Sequence, residues 1–387
     1  MLSAIDMFFL VSTLAKIVMF TMVVVLTLVA YTVYAERRFS AMIQDRVGPN
    51  RVGIPFTKIS LAGLGQPIAD GLKFLLKEDF TPKHVNVFYY WLAPVLTMVP
   101  ALMSAAVVPF GSDLSIPING TTYTVPLVIA DINVGPVFVF AITSLSVYGI
   151  VLAGWASNSK YSFFGGVRAS SQMISYEICM GLSIIPVIMI LGELNLSKIV
   201  EAQSANGWLL LPLWGTGAPW ADAGGWQHWA LMIPLVVSFL IFTISIFAET
   251  NRLPFDLPEC EPELVAGYHT EYSSMKFALF FLGEYAAMII GSGVIVTLFL
   301  GGWSLPFGWS EMLLAQKGGL WGLVTPFIHF GCFLTKVVAF LLFFIWVRWS
   351  IPRFRYDQLM RLGWVFFFEF ALANIVLAAA LMVVFRK

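Results

Sequence analysis

Carboxylates crowd one short stretch of this chain, residues 247–285, which lies between two long apolar runs. Its acidic residues flank one arginine, Arg252, and are Glu249, Asp256, Glu259, Glu261, Glu263, Glu271 and Glu284. Neighbouring carboxylates at membrane level raise one another's pKa, because like charges repel and apolar surroundings disfavour ionisation. Some of these acids are therefore predicted to hold protons near neutral pH, and acids at membrane level favour a functional role. The alternative is a solvated acidic loop, because acidic residues carry little weight in membrane orientation.

Prolines divide this acidic stretch at positions 254, 258 and 262. Each removes a backbone donor and crowds the preceding turn, so a continuous helix is not expected. In an extended chain, Glu259, Glu261 and Glu263 point to one side. We therefore expect an irregular segment that presents three carboxylates together.

The composition is that of an integral membrane protein. Hydrophobic residues make up 59% of the chain and charged residues 11%, and the mean hydropathy is +0.85, which lies outside the range of soluble domains. The formal net charge is zero, so nothing indicates a nucleic-acid partner. The scattered cysteines Cys179, Cys260 and Cys332 predict no iron–sulfur cluster, zinc site or disulfide framework.

Eight apolar runs are long enough to cross a bilayer, which takes about 20 helical residues each. They lie near 7–34, 87–109, 135–156, 171–192, 229–248, 276–303, 326–348 and 362–385. The first run is too long for a signal-peptide core, so we interpret it as a retained span. The sequence therefore predicts an all-α integral membrane protein with a single polytopic domain, 1–387.

The linkers between these spans alternate in charge. Those after spans 1, 3, 5 and 7 hold most of the 22 lysines and arginines, whereas those after spans 2, 4 and 6 hold only Lys198 and Lys317. The positive-inside rule places the acidic stretch on the cytoplasmic side and both termini outside. In a bacterium, this corresponds to a multi-pass inner-membrane protein with periplasmic termini.

The linker after span 1 predicts an amphipathic helix at the membrane surface. Its arginine-rich first part, AERRFSAMIQDRVGPNRVGIPF, leads into SLAGLGQPIADGLKFLLKE. One helical face holds Leu61, Leu64, Ile68, Leu72 and Leu75, and the opposite face Gln66, Asp70, Lys73 and Lys77. The helix is too short to span, and we expect Pro67 to kink it. It is either an ordinary surface helix or the wall of a chamber with an apolar interior and a polar rim.

Several ionisable residues fall inside the spans, where a charge at the helix centre costs about 2.5–3.5 kcal/mol. Glu249 lies at the cytoplasmic end of span 5. At a rise of 1.5 Å per residue, Glu177 lies about 9 Å and Glu284 roughly 13 Å from the cytoplasmic ends of spans 4 and 6. These three carboxylates predict a functional path toward mid-membrane. The other such residues are Lys16, His329, Lys336 and Glu369.

Five long motifs resemble those of a known family. They are AERR, QDRVGPNRVG, QPIADGLKFLLKE, SNSKYSFFGGVRASSQMISYE and AETNRLPFDLPECEPELVAGYHTEYSS. Over nearly its whole length, the chain is similar to the H subunit of bacterial respiratory complex I, the proton-translocating NADH:quinone oxidoreductase. Members of that family form eight spans at the junction of the membrane and peripheral arms. They supply the tunnel through which a quinone tail slides from the bilayer.

The resemblance implies roles for the matched residues. The implied quinone-tunnel residues are Arg37, Arg46, Asp70 and Lys73. The implied acidic funnel, which links quinone reduction to the proton path, is Glu177, Glu249, Glu259, Glu261, Glu263, Glu271 and Glu284. The resemblance also implies that Arg168, Arg252 and Asp256 lie on loop surfaces around the funnel. Cys260 replaces a residue that is more often small in the family, and Glu369 and the 193–228 loop match no functional motif.

The resemblance implies that the chain is one component of an enzyme and has no catalytic residue in isolation. Its substrate would be a quinone, either ubiquinone or menaquinone, and no flavin, iron–sulfur cluster or metal would be bound by this chain. Electrons would come from partners, because the chain has no Rossmann glycines, flavin site or cluster cysteines. The implied partners are the peripheral-arm subunits that carry the terminal iron–sulfur cluster and the quinone head-group site. The other implied partners are small and antiporter-like membrane-arm subunits and the lipid bilayer.

Two other interpretations remain open. One is the membrane component of an energy-converting hydrogenase-type complex, which couples to hydrogen evolution without quinone; the complete arginine-rich linker and the QPIADGLKF helix favour the quinone enzyme instead. The other is a stand-alone ion transporter whose relay is Glu177, Glu284, Lys336 and Glu369. Transporters often consist of repeated halves, and this sequence shows no internal repeat.

Overall fold

The computed structural model describes residues 4–53, 60, 62–118, 121–211, 226–258, 260–315 and 321–385. Helices form nearly all of its regular structure. They are α1 (Ala4–Ile17), α2 (Leu26–Ile43), α3 (Gln66–Leu76), α4 (Val87–Met103), α5 (Gly135–Ala156), α6 (Lys160–Leu191), α7 (Leu196–Asn206), α8 (Trp226–Glu249), α9 (Glu261–Leu264), α10 (Ser274–Phe299), α11 (Trp309–Ala315), α12 (Trp321–Ser350), α13 (Tyr356–Arg361) and α14 (Phe368–Phe385). The π-helical segments Val18–Val25 and Leu362–Phe367 join α1 to α2 and α13 to α14, and short 3-10 turns lie at Ser104–Val107, Gly267–His269 and Pro306–Gly308.

Eight helices in the described ranges are long and apolar enough to cross a membrane. They are Phe9–Ile43, Val87–Val107, Gly135–Ala156, Lys160–Leu191, Trp229–Glu249, Ser274–Phe299, Trp321–Ser350 and Tyr356–Phe385. The prediction of an all-α, multi-pass membrane protein is therefore confirmed.

Several of these helices extend beyond the predicted spans, the first and fourth by the largest margins. The first continues to Ile43 rather than ending near 34, and the fourth begins at Lys160 rather than near 171. The predicted loop at 160–170 is therefore wrong, and Arg168 lies on α6 instead of a loop. Hydropathy marks the membrane-embedded part of a helix only, so it misses turns that continue into polar surroundings.

Small residues let neighbouring helices pack closely, as is usual between membrane helices. Gly149 of α5 lies against the backbone of α4, where a Cβ would come within 2.8 Å of Thr97 N and 2.9 Å of Ala93 O. Gly154 of α5 lies against α6 in the same way, because a Cβ added there would lie 2.6 Å from Ser162 O. These contacts hold α4, α5 and α6 together around a shared apolar core.

One end of the helix bundle carries the sheet, and we call it the hairpin face. Strands β1 (Leu114–Ile118) and β2 (Thr121–Val125) pair antiparallel, with Leu114 opposite Val125. This hairpin was not among the predicted elements, although Asn119-Gly120 is a typical hairpin turn sequence; those two residues lie outside the described ranges. Helix α7 lies on the same face.

The opposite end carries residues 250–273, which we call the acidic segment, and we name this end the loop face. The expectation of an extended chain at Glu261 and Glu263 is wrong, because 261–264 form the helical turn α9. Pro262 fits there because the first turn of a helix leaves its backbone N–H groups without intrahelical acceptors. Glu259 lies outside the described residues, as does the side chain of Glu261.

The predicted amphipathic helix forms as α3, but it starts later than expected. Pro67 lies in its first turn, where proline is compatible with a helix, so the predicted kink is wrong. The side chains of Ile68, Leu72 and Leu75 are 65%, 52% and 64% exposed. The apolar face of α3 is therefore uncovered in this chain.

Candidate functional site

Arg252 lies three residues after the end of α8 and is buried, at 6% exposure. Its Nε lies 2.6 Å from Glu284 Oε1 on α10, and its Nη1 lies 3.4 Å from Glu36 Oε2 on α2. The guanidinium also covers the ring of Tyr285, with Cζ 3.9 Å from the ring centroid. The prediction that Arg252 lies on a loop surface is wrong: desolvation would leave an unpaired charge here very unstable, and two carboxylates compensate it.

Glu36 is the second centre of this group. The Tyr285 hydroxyl donates a 2.6 Å hydrogen bond to Glu36 Oε2, and Arg348 Nη1 on α12 pairs with Glu36 Oε1. Two guanidiniums thus face two carboxylates. We call Glu36, Arg252, Glu284, Tyr285 and Arg348 the Arg252 cluster. Burial lowers the pKa of Arg252, but Glu284, Tyr285 and Glu36 more than offset this effect, so the pKa lies well above its usual value.

Three residues of this cluster were not predicted as site residues: Glu36, Tyr285 and Arg348. Glu36 and Arg348 lie near the ends of spans, where charged residues are ordinary. One feature of the sequence could have indicated Glu36: it is an acidic residue directly after an apolar run, at a membrane border rich in arginine.

Glu249 and Glu177 lie together beside this cluster. The Glu177 carboxylate is close enough to repel that of Glu249. On α5, Ser144 is the hydrogen-bonding neighbour of Glu177, and Thr143 is that of Glu249. A cavity of about 30 Å³ is lined by both Glu249 and Glu284, which is enough room for water. A second cavity of about 30 Å³ also borders Glu249, with lining hydroxyls from Thr143, Thr250 and Ser104. The structure therefore brings together three of the predicted funnel acids, those on α6, α8 and α10.

The other described acids have separate partners. Arg168 Nη1 lies 2.5 Å from Glu263 Oε2, in a pair that is substantially exposed. The backbone carbonyl of Glu271 accepts a 2.6 Å hydrogen bond from the Tyr90 hydroxyl.

Asp256 is buried rather than on a loop surface, and it is 7% exposed. Its Oδ2 lies 2.9 Å from Arg353 Nη2. Burial raises the pKa of Asp256, while Arg353 and Arg348 oppose the increase. Cys260 is also buried, at 5% exposure.

The predicted tunnel residues are only partly brought together. Arg37 Nη1 on α2 pairs with Asp70 Oδ2 on α3 at 2.8 Å. Arg46 is exposed and donates a 2.7 Å hydrogen bond to Gln44, and Lys73 lies over the ring of its neighbour Phe74 at 4.9 Å. Among the described residues, α3 is thus attached to α2 by the ion pair of Arg37 with Asp70.

The start of α10 provides a second attachment for α3. The Ser274 hydroxyl lies 2.9 Å from the carbonyl oxygen of Phe74 and 3.1 Å from that of Lys77. The rings of Phe74 and Phe277 pack with centroids 6.5 Å apart. Helix α3 therefore borders α2 and α10, the two helices that supply both carboxylates of the Arg252 cluster.

Helix α6 holds the acidic segment through two close contacts. The side-chain amide of Gln172, which is fully buried, donates to the carbonyls of Ala248 and Phe255 at 2.7 and 2.8 Å and to Asn251 Oδ1 at 3.1 Å. Gly165 lies so close to the segment that a Cβ would be 2.7 Å from Gly267 Cα.

Known proteins are similar to this chain over nearly its whole length. A sequence model of the NADH dehydrogenase family matches residues 15–379. The second NADH-quinone oxidoreductase H subunit of Koribacter versatilis (strain Ellin345) is 45% identical over 381 residues, which cover 96% of this chain and 97% of that protein. The chain belongs to the family of NADH-quinone oxidoreductase H subunits. The H subunits of Salinibacter ruber and Rickettsia prowazekii are 48% and 47% identical, over 91% and 95% of this chain and 91% and 92% of their own lengths.

In this member of the family, the site combines fixed charges with carboxylates that border water-sized cavities. Arg252 and Glu284 are in direct contact, so any displacement of the guanidinium changes the electrostatic potential at that carboxylate. Glu249 shares a cavity with Glu284. The arrangement is suited to moving protons in response to a rearrangement of the acidic segment.

Proposed function

We propose that this chain is the component of a proton-translocating NADH:quinone oxidoreductase that admits the quinone and couples its reduction to proton movement. The observation that carries the proposal is the cavity of about 30 Å³ shared by Glu249 and Glu284. It connects acids on two membrane helices next to the Arg252 cluster. The names and near-complete coverage of the relatives support the same assignment.

The quinone enters between α2, α3 and α10. A hydrophobic tail needs an apolar passage, and α3 offers the uncovered side chains of Ile68, Leu72 and Leu75. We assign the ion pair of Arg37 with Asp70 to the polar rim of this passage, and Arg46 and Lys73 to its entrance. The head group then meets partner proteins at the loop face, which is cytoplasmic.

Quinone reduction is coupled to proton movement by the negative charge that develops on the quinone head group. Reduction of a quinone to a quinol takes two electrons and two protons, so negative charge develops at the head group until the protons arrive. This charge perturbs Arg252 and Asp256 in the acidic segment, and the perturbation reaches Glu284, Glu249 and Glu177. Water in the small cavities then carries the proton between these acids. The electrons come from a partner protein that holds the terminal iron–sulfur cluster.

Substitution of the central acids tests this proposal in the intact complex. We expect Glu249→Gln and Glu284→Gln to lower NADH:quinone turnover by on the order of 10²-fold, because a positioned proton-transfer group contributes about that much. The aspartate variants keep the titratable group and should retain more activity. Proton pumping in sealed vesicles, normalised to assembled complex, is measured in parallel.

Glu369→Gln is the matched control, because Glu369 is exposed on α14. NADH oxidation with a soluble artificial acceptor reports whether the electron supply is intact. Wild-type turnover and pumping in both glutamine variants would contradict the coupling role. Quinone-independent hydrogen evolution by the isolated complex would instead indicate the energy-converting hydrogenase-type assembly.

A further inference from the structure

A second polar centre lies at the hairpin face, at the other end of the helix bundle from the acidic segment. A cavity of about 520 Å³ is enclosed there by the hairpin, α7, α11 and the start of α12. We propose that this cavity, which we call the outer port, is filled with water and connects the buried imidazole of His329 to the aqueous phase at the hairpin face. The port's part in turnover rests on the function proposed above, whereas its hydration and accessibility do not.

The lining of the outer port is polar for a membrane protein. Its lining includes the carboxylates of Asp113 and Glu201 and the hydroxyls of Ser112, Ser115, Ser197 and Thr325. Thr325 is 4% exposed, and its Oγ1 has no hydrogen-bond partner among the described residues. A buried hydroxyl without a protein partner requires water, and this one borders a space large enough to hold many water molecules.

His329 lies directly behind the port and is completely buried. Its Nδ1 is 2.8 Å from the hydroxyl oxygen of Ser112, which lines the port. Its Nε2 has no hydrogen-bond partner in the described part of the chain, and its ring packs 4.6 Å from that of Trp303. Ser112 is therefore the contact through which the imidazole reaches the port.

When the imidazole takes up a second proton, a proton can leave it through this contact. The N–H bond at Nδ1 breaks as its proton passes to the Ser112 oxygen, and the serine proton passes to water in the port. The imidazole is left neutral with its remaining proton on Nε2. The reverse sequence returns a proton from the hairpin side.

Charged groups around the port support an exchange of protons. Burial raises the pKa of Asp113, with repulsion from Asp131 acting in the same direction and Lys16 opposing it. Burial also raises the pKa of Glu201, where Asp113 and Asp131 add to the effect and Lys198 opposes it. The carboxylates of the port therefore hold protons more readily than free carboxylates do.

On the inner side of His329, Lys336 lies two helical turns further along α12. Its ammonium group donates to the carbonyls of Leu300, Gly302 and Ser304 at 2.8, 2.8 and 2.7 Å. Cys332, between the two, donates a hydrogen bond to the Ser304 carbonyl. A metal site is not favoured, because the described residues contain no group of three His, Cys, Asp or Glu side chains placed to hold one.

Accessibility is tested by cysteine labelling in the assembled complex, in a background with the native cysteines replaced. We expect Thr325→Cys, and Ser115→Cys as a second position, to react with a membrane-impermeant thiol reagent added at the hairpin side. Thr335→Cys is the matched control, because Thr335 lies ten residues along the same helix and is exposed on its outer surface. Labelling of both port cysteines no faster than the control, or only from the loop side, would overturn the proposal.

The proton route is tested by Ser112→Ala and Ser112→Thr. In sealed vesicles, we expect NADH:quinone turnover to respond to the pH of the hairpin-side medium. Ser112→Ala should reduce that response severalfold and Ser112→Thr should retain it, whereas a purely structural role would change activity without changing the pH profile. An unchanged profile in both Ser112→Ala and His329→Gln would overturn the route. If Glu284→Gln turns over normally while Thr325→Cys labels from the hairpin side, the port stands and the proposed coupling function fails.

Discussion

At the scale of single residues, the site depends on buried and partly buried charges that compensate each other. Glu36, Arg252, Glu284 and Arg348 come from four separate parts of the chain, and their contacts join positions up to 312 residues apart. Spacing in the sequence predicted that Glu177, Glu249 and Glu284 would act together. It could not predict Glu36 and Arg348, because their roles arise only when α2 and α12 meet at the acidic segment.

Loss of Arg252 should leave a charge without compensation. Arg252→Gln leaves Glu36 and Glu284 facing Arg348 alone, and removal of one partner from a buried pair costs about 3–5 kcal/mol. We expect little assembled complex in membranes from this variant. The double variant Arg252→Gln/Glu284→Gln should restore part of the assembled complex, because one positive and one negative charge are then removed together.

Arg355→Gln is the control for this experiment. Arg355 pairs with Asp357 in a contact where both side chains are largely exposed, and such pairs contribute about 0–1 kcal/mol. The amount of assembled complex is measured by native gel electrophoresis of solubilised membranes. A double variant that assembles no better than Arg252→Gln would show that charge balance is not what stabilises the cluster.

His269 should make stability depend on pH. Burial lowers its pKa from 6.5 to about 4, so the folded protein binds this proton less readily than the unfolded chain. Its contribution to stability is complete above about pH 6.5 and is lost as the pH falls toward 4, at about 1.4 kcal/mol per unit. We expect the thermal midpoint of the purified complex to fall more between pH 7.5 and 5 than that of His269→Gln. Equal decreases in both proteins would contradict this account.

At the scale of the elements, hydropathy predicted the eight spans but not where their helices end. The turns at 160–170 and 35–43 mix basic and polar residues with apolar ones and so fall outside the apolar runs, yet they bring Arg168 and Glu36 to their partners. Short elements were harder still to predict. The turn α9 forms where an extended chain was expected, since the few residues on either side of Pro262 contain no helical periodicity to detect.

Close contact between α6 and the acidic segment should depend on Gly165. A methyl group added there comes within 2.7 Å of Gly267 Cα and Tyr268 N, and overpacking of this kind costs about 1–3 kcal/mol. We expect Gly165→Ala to lower both the thermal midpoint of the complex and its quinone turnover. The matched control is Gly181→Ala on the same helix, where a Cβ would meet nothing within 4 Å in the described structure.

The control should be neutral or stabilising by up to about 1 kcal/mol, because alanine favours a helix more than glycine does. Thermal inactivation curves and initial rates with a water-soluble quinone measure both effects. Equal behaviour of the two variants would mean that the segment does not depend on this contact.

At the scale of the whole molecule, the helix bundle has a loop face and a hairpin face with different chemistry. The loop face carries the acidic segment above the small cavities, and the hairpin face carries the outer port. The charge alternation of the linkers predicts which face is cytoplasmic, whereas the hairpin and α7 were not foreseen. Their residues are mostly small or weakly polar, and their arrangement depends on contacts with α11 and α12.

Reporter fusions test the predicted topology. Since positively charged linkers stay on the cytoplasmic side, a reporter fused after residue 60 should be cytoplasmic, and one fused after residue 206 should be periplasmic. Alkaline phosphatase activity, which requires export, should therefore be high only for the second fusion. Equal activity in both would contradict the eight-span arrangement.

The amide of Gln172 has a mechanical consequence. It holds Ala248, Asn251 and Phe255 at once, so the end of α8 and the first turns of the acidic segment cannot slide past α6 separately. Glu177 lies five residues further along the same helix. We therefore expect a displacement of the segment at the loop face to be transmitted through Gln172 and α6 to the Glu177 carboxylate.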